Sequence, residues 1–367
     1  MSKGTNLISE IGKYFKENDA TSAMNKIMKI IRTLNFSEKR LFGEESRCNC
    51  KYSQLQVLQL LLLFPCFMIK NAFNYSTSSL CGIADCGKDV FYRFLSREDY
   101  DWRNILINIT TQLWRKTLAN TERDDKTPIC LMVDDTDYPK RGIQTEMIGK
   151  VFSHVEHKMI LGFKGLFLGI TDGSTQMLMD FCLVGERGKN GMYNLKQKQL
   201  DARFTKERDK DSHTAKRIKE YDESKITLMI EMIKRLIARK IHFDYILADS
   251  WFACAEVIKF VTSRHIKCHY LGMIKMGKTK YHYNRKDYTA KALVALFDHP
   301  KKGRKYSRSL GCYYVTVDVE FAGRKVRLFF TKRNKKSDWN ALITTNTELE
   351  FKDAYRISSM RWSLEVV

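Results

Sequence analysis

The chain has 367 residues, 44% of them hydrophobic and 29% charged, with 64 Lys+Arg against 42 Asp+Glu and a formal net charge of +22. That is room for two or three domains around a sizeable core, in the ordinary composition of a soluble globular protein. A field of that sign favours a polyanionic partner, nucleic acid or an acidic membrane surface. The longest apolar run, LLLLFPCFMI (60–69), is interrupted by Pro65 and too short to cross a bilayer. The opening MSKGTNLISEIGKYFKEN lacks the apolar stretch of a secretory signal. The ten cysteines include Cys48-x-Cys50 but no C-x₂-C pair, so zinc-ribbon spacing fails and reduced thiols in a cytosolic protein are expected.

In chain order, residues 1–125 read as a helical region. SAMNKIMKIIRTLN sets Met24, Ile27, Ile30 and Ile31 at helical spacing, and YSQLQVLQLLLLF follows Ser53 as N-cap. GKDVFYRFLSRE and WRNILINITTQLWRKTLAN give two further helices. A basic helical region suits either DNA binding or scaffold; no recognition-helix pattern decides between them.

The pattern changes near Thr127. Ile129–Val133 reads as a buried strand that ends at the paired acids of VDDTDYPKRG. GFKGLFLGITDGSTQMLMDFCLVGE reads as two strands joined at Asp172-Gly173. Residues 188–222 are polar and read as an exposed excursion. SKITLMIEMIKRLIARK is an amphipathic helix with Ile226, Ile230, Ile233 and Ile237 near one face. FDYILADS is a strand ending at Asp249, WFACAEVIKFVTSRH the next helix and CHYLGMIK another strand, which together make a βαβ unit. YYVTVDVEF, RKVRLFF and WNALITT read as further strands, and DAYRISSMRWSLEVV as a last helix.

Charge is uneven along this path. Tyr270 to Lys336 holds 18 Lys+Arg against 4 Asp+Glu, with tyrosines among the cations in KYHYNRKDY. Aromatic faces between cations suit a nucleic-acid groove, and equally a solvated strand surface. His154 and His157 in SHVEHK are read as a polar helix turn rather than a metal pair. Trp251 suits base stacking, with core packing as the default.

Acids at the carboxyl ends of strands carry the chemical signal. Ligands of open α/β sheets bind beyond those ends. Asp134 and Asp135 after one strand and Asp249 after another repel unless a cation lies between them, and hard divalent ions take carboxylate oxygens beside substrate phosphates. A third carboxylate from a helix, with Glu365 as the candidate, completes a two-metal arrangement for phosphoryl transfer. Capping and turn formation are the alternative role of such aspartates.

VDDTDYPKRG, ILADSWFACAEVIKFV and YRISSMRWSLE together resemble the DDE transposases of the insertion-sequence-four type, over about residues 40–367. The resemblance implies a cut-and-paste DNA transposase. Its fold would be an α/β ribonuclease H-like catalytic domain with a β-rich insertion, preceded by a helical N-terminal region. The implied division is 1–125 helical, 126–269 catalytic core, 270–350 basic β-rich insertion against transposon-end DNA, and 351–367 the start of the glutamate helix. Matched position by position, the D-x-T element falls on Asp134 and Thr136, with Asp135 in reserve. The second aspartate falls on Asp249, the arginine on Arg361 and the glutamate on Glu365. Asp134, Asp249 and Glu365 are the implied catalytic and metal residues, holding two Mg²⁺ ions for which Mn²⁺ substitutes. Arg361, together with Lys140 and Arg141 after the first strand, is read as DNA-binding.

The family's tyrosine position holds Ser358, with Tyr355 about one turn earlier, and the family's lysine would fall beyond Val367. A truncated product is therefore expected. The implied reaction is metal-assisted strand cleavage, after which the freed 3′-hydroxyl attacks the other strand or target DNA. The implied partners are terminal inverted repeats and target DNA, with a dimer on two DNA ends, no membrane, and a bacterial cytoplasmic, nucleoid-associated location. An inactive DNA-binding remnant and a different ribonuclease H-like nuclease are the alternatives.

Overall fold

The computed structural model describes residues 36–362, apart from 47, 48, 83, 123 and 125, together with 25, 29 and 31–34. Its helices are α1 (Glu38–Phe42), α2 (Gln54–Leu63), α3 (Lys88–Leu95), α4 (Trp102–Asn120), α5 (Gln197–Asp201), α6 (His213–Glu220), α7 (Lys225–Ala238), α8 (Ala255–Val261), α9 (Ala290–Phe297) and α10 (Phe351–Ser359). Its strands are β1 (Cys130–Pro139), β2 (Gly149–Ser153), β3 (Lys158–Thr171), β4 (Gln176–Val184), β5 (Tyr245–Ala248) and β6 (His269–Ile274), then β7 (Lys280–Tyr283), β8 (Lys286–Thr289), β9 (Lys305–Ser307), β10 (Cys312–Phe321), β11 (Arg324–Lys332) and β12 (Asn340–Thr344). The described residues fall into two compact units: those up to 122 with 206–219, and those from 124 to 205 with 220–362.

The first unit is helical. The Ser53 hydroxyl accepts the Gln56 amide while the Gln56 side chain accepts the Ser53 amide, so two of the four orphan donors at the start of α2 are satisfied. The helix stops at Leu63, just before Pro65, whose ring would clash with the preceding turn. Its buried side packs with Tyr75, Leu80, Phe91 and Tyr100 in one aromatic-rich core. The stretch expected to be an exposed excursion is partly recruited here. Residues 206–219 belong to this unit, and Lys206 and Arg208 both reach the Glu98 carboxylate, at 2.7 and 3.0 Å. The helix expected over 22–35 lies largely outside the described residues.

The second unit is built on one sheet. Its main path runs β2-β3-β1-β5-β6-β12-β11-β10-β7-β8, with β4 paired to β3 and β9 to β10. β3 and β4 form the expected hairpin, antiparallel to each other, and β3 lies antiparallel to β1. The Asp172 side chain accepts the Ser174 and Thr175 amides in the turn between β3 and β4. β5 and β6 run parallel to β1, joined through α8 as the expected βαβ unit. The strands of 270–350 continue this same sheet, because β12 pairs antiparallel with β6. Cys130, Met132, Tyr245, Leu247 and Leu271 bury one face of the sheet against Phe351, Ala354 and Ile357 of α10. On the other face α7 packs on β3 and β4, and α8 on β6 and α7. The buried side of α7 runs through Leu228, Met229, Ile230, Met232, Ile233 and Leu236, leaving Ile226 and Ile237 at its margins.

Three local expectations are corrected. β1 does not stop at the acids but runs on to Pro139, because β3 supplies an antiparallel partner for every residue from Cys130 to Pro139. SHVEHK is the turn between β2 and β3, not a helix turn; His157 takes a φ of 51°, which a tight hairpin needs. α8 starts only at Ala255, so Trp251 is in a turn rather than a helix, and it is 58% exposed rather than packed in the core. The described cysteines are free, with Cys86, Cys130, Cys182 and Cys312 buried and Cys50 exposed.

At Gly162, the residue opposite Pro139, an added Cβ would stand 2.1 Å from the Tyr138 carbonyl oxygen. Only glycine lets β1 and β3 close there.

Candidate active site

Parallel pairing of β1 with β5 ends at Val133 and Ala248, so Asp134 and Asp249 are the next residues on two neighbouring strands. Adjacent strands lie roughly 5 Å apart, which brings the two carboxylates to one edge of the sheet. Asp134 keeps the parity of Cys130 and Met132, the face that α10 covers. Its Oδ2 accepts Arg361 Nη1 at 2.9 Å, and its Oδ1 accepts the Asp135 amide. Burial pushes the Asp134 carboxyl above its ordinary pKa; the charges of Asp249 and Asp135 push the same way, against the Arg361 guanidinium and the Asp135 amide. Asp249 Oδ1 accepts the Trp251 amide at 2.8 Å, which folds the strand end back on itself.

Asp135 has the opposite parity, and its surroundings differ. Its carboxylate accepts Lys225 Nζ at 2.6 Å and lies 3.9 Å from Lys164 Nζ. The Lys164 side chain is only 4% exposed and also faces Asp137 and Glu186 at 3.8 and 3.2 Å, while donating to the Phe152 carbonyl. The reserve candidate of the D-x-T element is thus engaged by two lysines on the far side of the sheet.

Trp251 projects beside Asp249, and Lys225 and Lys275 place their ammonium groups 5.5 and 5.6 Å from its ring centre. Such contacts hold an exposed ring in place. A cavity of about 330 Å³ opens next to the strand ends, lined by Ala248, Gly272, Asn340, Ser358, Arg361 and Trp362 among others. On β6, Tyr270 is fully buried, and its hydroxyl has no hydrogen-bond partner. Neither Trp251 nor Tyr270 was marked as a site residue by sequence reasoning. The proximity of Trp251 to Asp249 was a signal; nothing in the sequence marked Tyr270.

Of the remaining expected residues, only Arg361 meets either of the two aspartates among the described residues. Arg361 is 8% exposed and turned onto Asp134. Lys140 and Arg141 are exposed, but six or more residues along β1 from Asp134, about 20 Å at strand rise. Glu365 lies outside the described residues. Among the described residues no group of three or more His, Cys, Asp or Glu side chains assembles to hold a metal.

The pair Asp134 and Asp249 nonetheless fits a hard divalent cation. Both are oxygen donors, the charge of Asp249 raises the cost of ionising Asp134, and Asp134 is neutralised here by a guanidinium.

The sequence family described as DDE superfamily endonuclease matches residues 77–287, more than half of the chain and both aspartates. The chain belongs to that family. The DDE part of the sequence resemblance is therefore borne out; the family match does not single out the insertion-sequence-four type. No curated protein matches the chain. Among solved structures, the cryo-EM structure of the piggyBac transposase synaptic complex with hairpin DNA is similar at 12% identity and a TM-score of 0.41. That likeness covers 98% of this chain and 65% of the other, less than two thirds of its length. The NurA nuclease from Sulfolobus solfataricus is similar at 10% identity and a TM-score of 0.29, over 74% of this chain and 85% of that one. No helix among the described residues is long and apolar enough to cross a membrane.

Proposed function

We propose that the chain is a DNA transposase of the DDE type that makes divalent-metal-dependent cuts at insertion-sequence ends and transfers the freed strand to target DNA. The observation that carries this reading is that Asp134 and Asp249 directly follow Val133 and Ala248, the last paired residues of two adjacent parallel strands, within the segment matched by the endonuclease family. The order β4-β3-β1-β5-β6, in which β3 runs antiparallel to both β1 and β4 while β5 and β6 run parallel to β1, supports a ribonuclease H-like core.

Asp134 and Asp249, with Glu365 as third carboxylate, would hold one or two Mg²⁺ ions. When bound, the metal supplies the Lewis acidity that activates water and offsets charge on the departing oxygen. Asp249 is oriented by the Trp251 amide. Trp251, flanked by Lys225 and Lys275, offers a ring face and two cations to a nucleotide at the cut. Arg361 neutralises Asp134 and would exchange that carboxylate for a DNA phosphate as cation binds. Lys140, Arg141 and the basic strands of 270–350 would follow the duplex away from the cut. Terminal repeats on two DNA ends held by a dimer complete the proposal.

The test is cleavage of a duplex carrying the element's own terminal repeat by the purified full chain in Mg²⁺ or Mn²⁺. Asp249→Asn and Asp134→Asn should each lower cutting by at least about a thousandfold while DNA binding persists. Cutting that survives both substitutions overturns the reading. The Arg361–Asp134 ion pair supports a second reading, a DNA-binding remnant whose carboxylate is already spent. Firm binding of the repeat without cutting in either metal selects it.

A further inference from the structure

The Tyr270 hydroxyl is a buried polar atom with no hydrogen-bond partner, on a side chain with 0% exposure. Buried hydroxyls nearly always have a partner, because an unmade hydrogen bond in the interior keeps its full desolvation cost; an exception calls for a reason. Its position supplies one. Tyr270 and Gly272 lie on the same side of β6, and the phenol runs along the strand toward its carboxyl end. A Cβ at Gly272 would stand 2.5 Å from that hydroxyl and 2.8 Å from the Ala248 carbonyl oxygen. The absence of a side chain at Gly272 is what admits the phenol, and it delivers the hydroxyl next to the residue that precedes Asp249. Burial holds the Tyr270 proton on strongly, and among charged groups Asp249 reinforces this while Arg361 opposes it, so both lie within electrostatic reach. Asp249 Oδ1 is taken by the Trp251 amide, and that bond does not involve Oδ2.

We propose that Tyr270 is a positioning residue for Asp249, its hydroxyl donating to the carboxylate, directly or through one water, when Asp134 and Asp249 hold a divalent cation. The proposal rests on the metal-dependent reading above and deepens it. The phenol stays protonated and serves only as a donor. It adds a second hold on Asp249, whose Oδ1 already accepts the Trp251 amide, and so preorganises the cation-binding pair. Groups of this kind typically change metal affinity 10- to 100-fold.

The test is Tyr270→Phe in the full chain, which keeps the ring and removes the unpartnered oxygen. Thermal unfolding without metal should occur at the same or a higher temperature, since a desolvated hydroxyl is lost. Mn²⁺ affinity, followed by titration calorimetry, should fall at least about tenfold. In an Asp249→Asn background the same change should have no further effect on Mn²⁺ affinity. Affinity within twofold of the unsubstituted chain overturns the proposal, and so does a marked fall in unfolding temperature, which would show that the hydroxyl already serves the fold. Weaker Mn²⁺ binding by the variant of a chain that never cuts DNA sinks the transposase reading but not this one. A chain that binds no Mn²⁺ overturns both.

Discussion

The two faces of β1 at Asp134 and Asp135 use the same residue type for opposite ends. On the α10 side, Asp134 is partly buried with a like charge beside it and a single guanidinium partner. On the α7 side, Asp135 joins Asp137 and Glu186 around a nearly inaccessible lysine, with Lys225 closing the group. One carboxylate is held in an environment that resists its charge, the other in one that requires it. Adjacent acids in a sequence therefore need not share a role, and strand parity decides which is which.

The sharpest way to break the comparison is at Lys164. Lys164→Met leaves three carboxylates around a buried site with no cation at its centre. Removing one member of a buried ionic group costs about 3–5 kcal/mol, and urea unfolding of the full chain should register a loss of that order. A loss below about 1 kcal/mol would mean that this face is not held by its charges.

Trp251 tests the edge where the two faces meet. Trp251→Ala should change folding stability by no more than about 0.5 kcal/mol, as expected for an exposed side chain. DNA binding at the cut should weaken by about 1–3 kcal/mol, and Trp251→Phe should restore most of it. Equal affinity of the alanine variant and the parent chain, in a repeat-binding titration, would remove the ring from the site.

The smallest effect is a pH slope. Asp134 holds its proton more tightly in the folded chain than its ordinary value of 3.8 allows in the unfolded one. The folded state therefore binds more protons between those two values. Stability gained at acid pH is lost as pH rises through the folded value, by at most about 1.4 kcal/mol per pH unit. Asp134→Asn should flatten that part of the stability curve. An unchanged slope would place its source at another group.

Much of this site could be read in the sequence, and the gaps have physical causes. The apolar run before Asp249, the helix after it and the strand that follows announce a βαβ unit by periodicity alone. Ser53 with Gln56 announces a helix start. The continuation of β1 through Asp134-Asp135-Thr136-Asp137 was not legible, because three of the four are aspartates, poor strand formers held extended by β3 and by Lys164. The parity of the two acids was hidden for the same reason: local propensity placed the end of the strand at the very residues whose sides mattered. Nor could the sequence show that 270–350 extends the main sheet, since the pairing of β12 with β6 joins segments about seventy residues apart. Tyr270 reads as one more buried aromatic until its neighbour Gly272 is seen beneath it.

Gly162 carries a consequence for how such a chain can change over time. A strand alternates by twos, so a slip of one residue between β1 and β3 would carry Asp134 to the lysine side and Asp135 to the α10 side. The unbroken run of pairs that ends at Pro139 opposite Gly162 forbids that slip. Insertions or deletions of a single residue within Cys130–Pro139 or Gly162–Thr171 are thus far more dangerous to this protein than most point substitutions there. Lineages that keep the chemistry should show length changes confined to the loop after Arg141.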